Sequence, residues 1–398
     1  MKKLILATTA LAALAGPALA ASHGNEVKLG IMLGFTGPLE SITPAMRDGA
    51  MMAIKEVSDS GALLGGTTVT AVEADSTCID SAAATAAAER LITSDGVMGI
   101  MGADCSGVTG AVLTNVAMPN GVAMISPSAT SPGLSTAEDN DLFFRTAPSD
   151  ARQGVVMAEV LKEKGIMSVA LTYTNNDYGK GLADSFQAAY EEAGGSVTLS
   201  AAHEDGKADY SAEVAALASA GGDMLVVAGY VDQGGRGMIQ AALDTGAFDA
   251  FFLPDGMYGD SLVEVFGDGL DNTIGSVPGN DSPGNAMFTE LAGAAGFDPT
   301  SSYTGESYDA AALLLLAMQA AGATDAETYK TKVMDVANAP GEKIYPGELQ
   351  KALELIAAGE DIDYVGATAV ELIGSGEAAG NFRIYGFEGG ERKTQEYR

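Results

Sequence analysis

The sequence predicts an α/β protein of two doubly wound parallel-sheet lobes joined by a multi-strand hinge, and three observations carry that expectation. Short β-branched or apolar runs alternate with amphipathic, Ala-rich stretches about every 25 to 30 residues, as βαβ units do. The series restarts after Phe143-Phe144-Arg145-Thr146 with a second set of the same kind. The length, 398 residues, exceeds what one hydrophobic core usually covers, so two domains are expected.

In the first lobe Glu26 to Leu33 reads as a strand. A helix over Thr43 to Ser58 follows, with Met46, Ala50, Met51, Ile54 and Val57 on one stripe at three- and four-residue spacing. The spacing then predicts a strand from Thr67 to Asp75, a helix over Ser81 to Ile92, a strand from Val97 to Met101, a helix over Val108 to Val116 and a strand from Val122 to Ile125. Ala147-Pro148-Ser149-Asp150 reads as a crossing followed by a capped helix start. The second lobe has expected strands at Ser168 to Tyr173, Ser196 to Ala201, Met224 to Gly229 and Phe251 to Leu253. Its expected helices cover Arg152 to Lys164, Gly181 to Ala193, Tyr210 to Ala218 and Gly234 to Leu243. Thr273 to Val277 is expected to return the chain to the first lobe, ahead of helices at Ala286 to Ala295, Ser307 to Ala321 and Thr328 to Ala337. Asn381 to Phe387, before the Gly389-Gly390 turn, reads as a late strand. The expected segments are 27–147 with 277–365 for lobe one, and 148–276 with 366–398 for lobe two. More than one crossing favours hinge motion over independent tumbling.

Residues 1–20 read as a cleaved secretory signal. Lys2 and Lys3 precede the apolar run Leu4 to Ala15, which is shorter than the roughly 20 residues a membrane span needs, and Pro17-Ala18-Leu19-Ala20 is a small-residue cleavage site. Ala21, where a lipoprotein would have Cys, argues against a lipid anchor. The formal net charge is −32, and signal removal deletes two lysines and no acid. Such a balance excludes nucleic acid as a partner, because phosphate binding needs clustered Lys and Arg, and disfavours anionic lipid. Cys78 and Cys105 are the only cysteines, and in an exported chain pairing is the natural reading. A free nucleophilic or metal-binding thiol is the alternative.

The loops Ala103-Asp104-Cys105-Ser106-Gly107 and Ser126-Pro127-Ser128-Ala129-Thr130 each follow an apolar run, so they fall at the carboxyl ends of strands, where open α/β sheets bind small ligands. Ser106, Ser128 and Thr130 on that edge, with Tyr178, Tyr230 and Asp255 at strand ends of lobe two, would line a cleft from both sides. Hydroxyls and free N–H groups suit a carboxylate, Asp255 an ammonium, and the tyrosines flat walls. Singly, a Ser or Thr after a strand is more often a helix N-cap than a ligand contact. Catalysis is poorly supplied: His23 and His203 are the only histidines, His203 is expected on the solvated surface, and there is no Gly-x-Ser-x-Gly elbow. Neither a phosphate-binding Gly-x-x-x-x-Gly-Lys loop nor calcium-loop spacing occurs, so no cofactor or metal is implied.

The chain resembles the periplasmic leucine/isoleucine/valine-binding receptors of ABC importers, type I periplasmic binding proteins. The likeness runs through Leu29-Gly30-Ile31, Thr36-Gly37-Pro38, Asp75, Cys78, Cys105-Ser106, Ile125-Ser126-Pro127, Ala129-Thr130, Phe144-Arg145-Thr146, Tyr178-Gly179-Lys180-Gly181, Asp209-Tyr210 and Tyr308-Asp309-Ala310. It implies a periplasmic monomer with Venus-flytrap closure, not an enzyme, that captures a small aliphatic amino acid and presents it to the importer's membrane subunits. It also implies that Ser106, Ser128 and Thr130 hold the ligand's carboxylate and amine, that Asp255 meets the ammonium and that Tyr178 lines the site. The cysteines match a family disulfide. Asp255 is one methylene shorter than the expected glutamate, Leu39-Glu40-Ser41-Ile42 stands where an aromatic is common, and Ser128 stands where alanine is common. The same broad family takes up amides, urea and aromatic acids. An exported hydrolase using Ser106 or a free Cys105, and a sensor for a signalling partner, are the competing readings.

Overall fold

The computed structural model describes residues 26–398, so the expected signal at 1–20 lies outside the described residues. The strands are β1 (Glu26–Leu33), β2 (Thr68–Asp75), β3 (Gly99–Gly102), β4 (Met124–Ser126), β5 (Phe143–Pro148), β6 (Ser168–Thr174), β7 (Ser196–His203), β8 (Met224–Ala228), β9 (Phe251–Leu253) and β10 (Ile274–Pro278). They continue with β11 (Glu342–Ile344), β12 (Ile362–Tyr364), β13 (Leu372–Ile373), β14 (Glu377–Ala378), β15 (Phe382–Glu388) and β16 (Glu391–Tyr397). Two seven-stranded sheets result, ordered β13-β14-β5-β4-β3-β1-β2 and β16-β15-β10-β9-β8-β6-β7. The two lobes therefore repeat one doubly wound order, 2-1-3-4-5, with a crevice at the carboxyl ends where the order reverses.

β1 shows why this order is stable. It pairs in parallel with β2 on one side and β3 on the other, and Leu29, Ile31, Met32 and Leu33 are all fully buried. A strand covered on both faces reads as a continuous apolar run, as it does in the sequence. The helix Thr304–Ala321 is apolar around its whole circumference because lobe one encloses it. Ala310 to Met318 are completely buried, against the helix Thr43–Ser60 on one side and β3, β4 and β5 on another. No helix of the described residues is long and apolar enough to cross a membrane.

Three segments cross between lobes: β5 into the helix Asp150–Glu163, β10 into the helix Pro283–Ala295, and β14 into β15. Two expectations need correction. The segment 366–398, assigned to lobe two, is divided: Leu372–Ile373 and Glu377–Ala378 extend the first sheet beside β5, and only the chain from β15 onward joins the second. Two-residue strands carry no readable period, so nothing in the sequence separates them. The run at Thr273 to Val277 belongs to β10, which pairs with β9 and β15 in the second sheet, and the return to lobe one comes after it.

Candidate functional site

Lobe one brings three strand-end loops together through one buried acid. Asp104 accepts from the Gly34 N–H at 2.9 Å and from Ser76 Oγ at 2.7 Å. Cys78 and Cys105 are disulfide-bonded, their Cα atoms 5.1 Å apart, which fixes the loops after β2 and β3 to each other and removes the free-thiol alternative. Ser126 Oγ donates to the Ala103 carbonyl at 2.5 Å and accepts from the Ala129 N–H at 2.9 Å. Below the second loop lies Arg145, 1% exposed. Its Nη1 donates to the carbonyls of Ala129 and Ser131, both at 2.9 Å, and its Nη2 to Ser135 Oγ at 2.6 Å and Glu377 Oε2 at 2.5 Å.

These loops place the expected residues as follows. Ser106 opens the helix Ser106–Val112, and its hydroxyl accepts from the Ser131 N–H at 3.1 Å. Ser128 Oγ donates to the Asp104 carbonyl at 2.9 Å, so this side chain ties the two loops together. Thr130 Oγ1 is buried without a hydrogen-bond partner. On the opposite side, Asn176 caps the helix Asp177–Glu192 by accepting from the Gly179 N–H at 3.0 Å. That cap aims Tyr178, whose hydroxyl donates to Asp255 Oδ1 at 3.0 Å and accepts from the Gly256 N–H at 3.1 Å. A Cβ at Gly256 would stand 2.7 Å from the Tyr178 hydroxyl, so glycine is what permits this approach. Tyr230 stacks on Tyr178 with ring centroids 5.2 Å apart, and Asn176 Nδ2 donates to its hydroxyl at 3.2 Å.

Two residues absent from the expected set complete the cluster. Tyr303, just ahead of the helix Thr304–Ala321 in lobe one, donates its hydroxyl to Asp255 Oδ2 at 2.5 Å. The other is Asp150, which in the sequence is only the start of a capped helix. Ser149 caps the helix Asp150–Glu163, the Asp150 N–H donates to the Thr130 carbonyl at 2.9 Å, and the Asp150 carboxylate is fully buried beside the Thr130 hydroxyl.

The electrostatics follow from burial. Desolvation pushes the Asp255 carboxyl above its usual range, opposed by the hydrogen bonds from Tyr303 and Tyr178. Desolvation, then repulsion from Asp255, pushes Asp150 well above its usual range, opposed by the Arg145 guanidinium and by the Thr130 hydroxyl beside it. The hydroxyls of Tyr178, Tyr230 and Tyr303 are raised far up, first by burial and then by neighbouring carboxylates, so they stay protonated donors. Clefts between the lobes flank the cluster. One of about 390 Å³ is lined by Ser81, Gly107, Asn175, Asp177 and Asp205, and another of about 510 Å³ by Ser106, Thr114, Ser131, Lys180 and Asp184.

The arrangement suits binding. His203, expected on the surface, is 1% exposed. It lies at the end of β7, with Nδ1 2.8 Å from Thr172 Oγ1 and its ring edge-on to Tyr210, and desolvation lowers its pKa to about 4. Alternation along a strand turns it inward despite its charged neighbours Glu204 and Asp205. Neither Ser106 nor Cys105 is hydrogen-bonded to it.

The family model described as "Periplasmic binding protein" matches residues 26–343. The chain is 32% identical over 329 residues to the Leu/Ile/Val-binding protein homolog 1 of Brucella melitensis, covering 82% of this chain and 86% of that one. Its fold is similar to that of the branched-chain amino acid transporter substrate-binding protein LivJ of Streptococcus pneumoniae in complex with isoleucine, with a TM-score of 0.76, 22% identity and coverage of 94% and 99% of the two chains. A solute-binding protein of R. palustris in complex with 4-hydroxybenzoate is similar at a TM-score of 0.74 and 20% identity, covering 94% and 97%.

Proposed function

The chain belongs to the periplasmic binding protein family, and from that premise we propose that it is the periplasmic receptor of an ABC importer, capturing a small aliphatic amino acid between its lobes. The observation that carries the proposal is Asp255 held from both sides, by Tyr178 of its own lobe and Tyr303 of the other. In this reading Ser106, Ser128 and Thr130 form the carboxylate seat, Asp255 attracts the ammonium, and Tyr178 and Tyr230 are walls beside the side chain. The name of the Brucella relative supports the branched-chain class. Ligand contacts to both lobes favour the closed state, so binding energy shifts the hinge equilibrium and leaves the ligand chemically unchanged. Cleavage after Ala20 would deliver the receptor to the periplasm, where the importer's membrane subunits are its partner.

A thermal-shift screen of amino acids, amides, urea and aromatic acids tests this. A ligand at 100 times its Kd stabilises the native state by about 2.7 kcal/mol. Amino acids are expected to raise Tm, and a shift confined to aromatic acids would transfer the chain to the class of the 4-hydroxybenzoate-bound neighbour.

A further inference from the structure

Glu306, in the first turn of the helix Thr304–Ala321 of lobe one, is a buried acid outside the cluster around Asp255. Its backbone carbonyl accepts from Thr146 Oγ1 of β5 at 2.8 Å, and the residue lines a cavity of about 70 Å³ at the hinge. Arg383 of β15, in the second sheet, lines the same cavity. There Pro278 of β10 pairs with Phe382, and the Gly279 N–H donates to the Asn381 carbonyl at 3.0 Å. Each of the three lobe crossings thus has a strand end beside Glu306 or in the cavity wall, to which Asn285, Thr289 and Ser301 add polar side chains. Glu306 is 6% exposed, and the hydrogen bond its carboxyl receives is from its own backbone N–H, while Arg383 acts on it through space. Arg383 Nε is buried without a hydrogen-bond partner. The guanidinium carbon lies 4.7 Å over the Tyr258 ring, which covers a face and uses none of the N–H donors at the edge.

We infer that this hinge cavity is a second binding site, for a small monovalent anion of the class of chloride or formate, held between Arg383 of lobe two and Glu306 of lobe one. The site does not depend on which solute fills the cleft. A single water needs about 10–15 Å³, so a cavity of about 70 Å³ suits a halide or formate with a few waters, whereas the clefts of about 390 and 510 Å³ suit the larger solute. A guanidinium carries N–H donors and no acceptor, and an anion is the partner that Arg383 lacks. Desolvation pushes the Glu306 carboxyl up to about 8, with Asp309 adding to it and its own backbone N–H and Arg383 opposing. At neutral pH it is therefore an uncharged O–H donor, and Arg383 leaves the cavity positive. The charged and titratable groups facing Glu306 are Asp309 on its own helix, Arg383 on β15, and Tyr303 and Tyr397 in the cavity wall. Asp309 is already occupied by Tyr364, the Ala367 N–H and Thr368. Ionisation of Glu306 sets a carboxylate against the anion, so anion affinity falls as pH rises through about 8.

Calorimetric melting of the chain without added solute tests the inference in sodium chloride, sodium formate and sodium gluconate. All three are used at about 0.15 M, so that screening is the same in each and gluconate is the anion too large for the cavity. At about pH 7, Tm is expected to be on the order of 2 °C higher in chloride, formate or both than in gluconate, and the difference is expected to vanish at about pH 9.5. A gain in chloride alone identifies a halide site, and a gain in formate alone a carboxylate site. Arg383→Gln is expected to abolish the gain. Glu306→Gln, which keeps an uncharged donor, is expected to retain it at both pH values. Equal Tm in the three salts at about pH 7 overturns the inference, as does an undiminished gain in Arg383→Gln. Should that variant fail to fold, wild-type crystals soaked in sodium bromide or sodium formate carry the test. Anomalous bromide signal or formate density between Arg383 and Glu306 is expected, and neither ion there overturns the inference while leaving the reading of the cleft untouched.

Discussion

Tyr303 of lobe one donates its phenol to Asp255 of lobe two at 2.5 Å, while Tyr178 holds the other Asp255 oxygen at 3.0 Å. The first of these bonds exists only when the lobes are together. Tyr303→Phe keeps the ring and deletes the link. A hydrogen bond to a charged group contributes about 1.5–3 kcal/mol, so amino-acid affinity should fall roughly 10- to 100-fold, mostly through faster dissociation. Stopped-flow measurement of release checks this, and an unchanged off-rate would show that closure does not depend on the bond.

Cys78 and Cys105 are separated by 27 residues, a loop whose closure stabilises the native state by about 3–4 kcal/mol in the chain-entropy model. The double variant Cys78→Ala/Cys105→Ala should therefore show a lower urea midpoint and, because the bond anchors the loop that carries Ser106, weaker ligand binding. A midpoint equal to that of wild type would contradict the first expectation.

Much of this architecture is legible in the sequence because its elements are locally encoded. Glu26–Leu33 and Phe251–Leu253 have the expected bounds, and the loops after β3 and β4 fall where the apolar runs end. The site is less legible because the hinge assembles it. Asp150 reads as an ordinary first-turn acid of a capped helix, and Tyr303 lies in a loop with no periodic signal; their importance emerges only when residues 130, 150, 255 and 303 meet. His203 reads as a surface residue for a different reason, since the charged residues Glu204 and Asp205 that follow it lie beyond the end of β7 and say nothing about the face that the strand's last side chain takes.

Two buried groups set opposite edges of the pH–stability profile. His203 is lowered to about 4 from 6.5 by desolvation, so between these values the unfolded chain binds the extra proton and stability is lost as pH falls. Glu306 is pushed up to about 8 from 4.5, again by desolvation, so the folded chain holds the extra proton and stability is lost as pH rises through that window. Each effect has a slope of about 1.4 kcal/mol per pH unit. The two offset each other between about pH 4.5 and 6.5, leaving losses below and above. Glu306→Gln should flatten the alkaline side, and His203→Gln the acidic side, of urea midpoints measured across pH. Profiles identical to wild type would remove these groups from the account.

The surface charge makes a prediction of its own. Acids outnumber Lys and Arg by 53 to 21, and the ion pairs of the described residues are mostly exposed, as at Lys55–Asp59 and Lys180–Asp184. Exposed pairs contribute about 0–1 kcal/mol each, and salt weakens them. Salt also screens repulsion among the acids that have no cation, and the charge excess makes that the larger effect. Tm should therefore rise between about 0.01 M and 0.15 M NaCl, over which the Debye length shrinks from about 30 Å to about 8 Å. Differential scanning calorimetry at fixed pH measures it. A Tm that falls over this range would mean that the attractive pairs outweigh the repulsion.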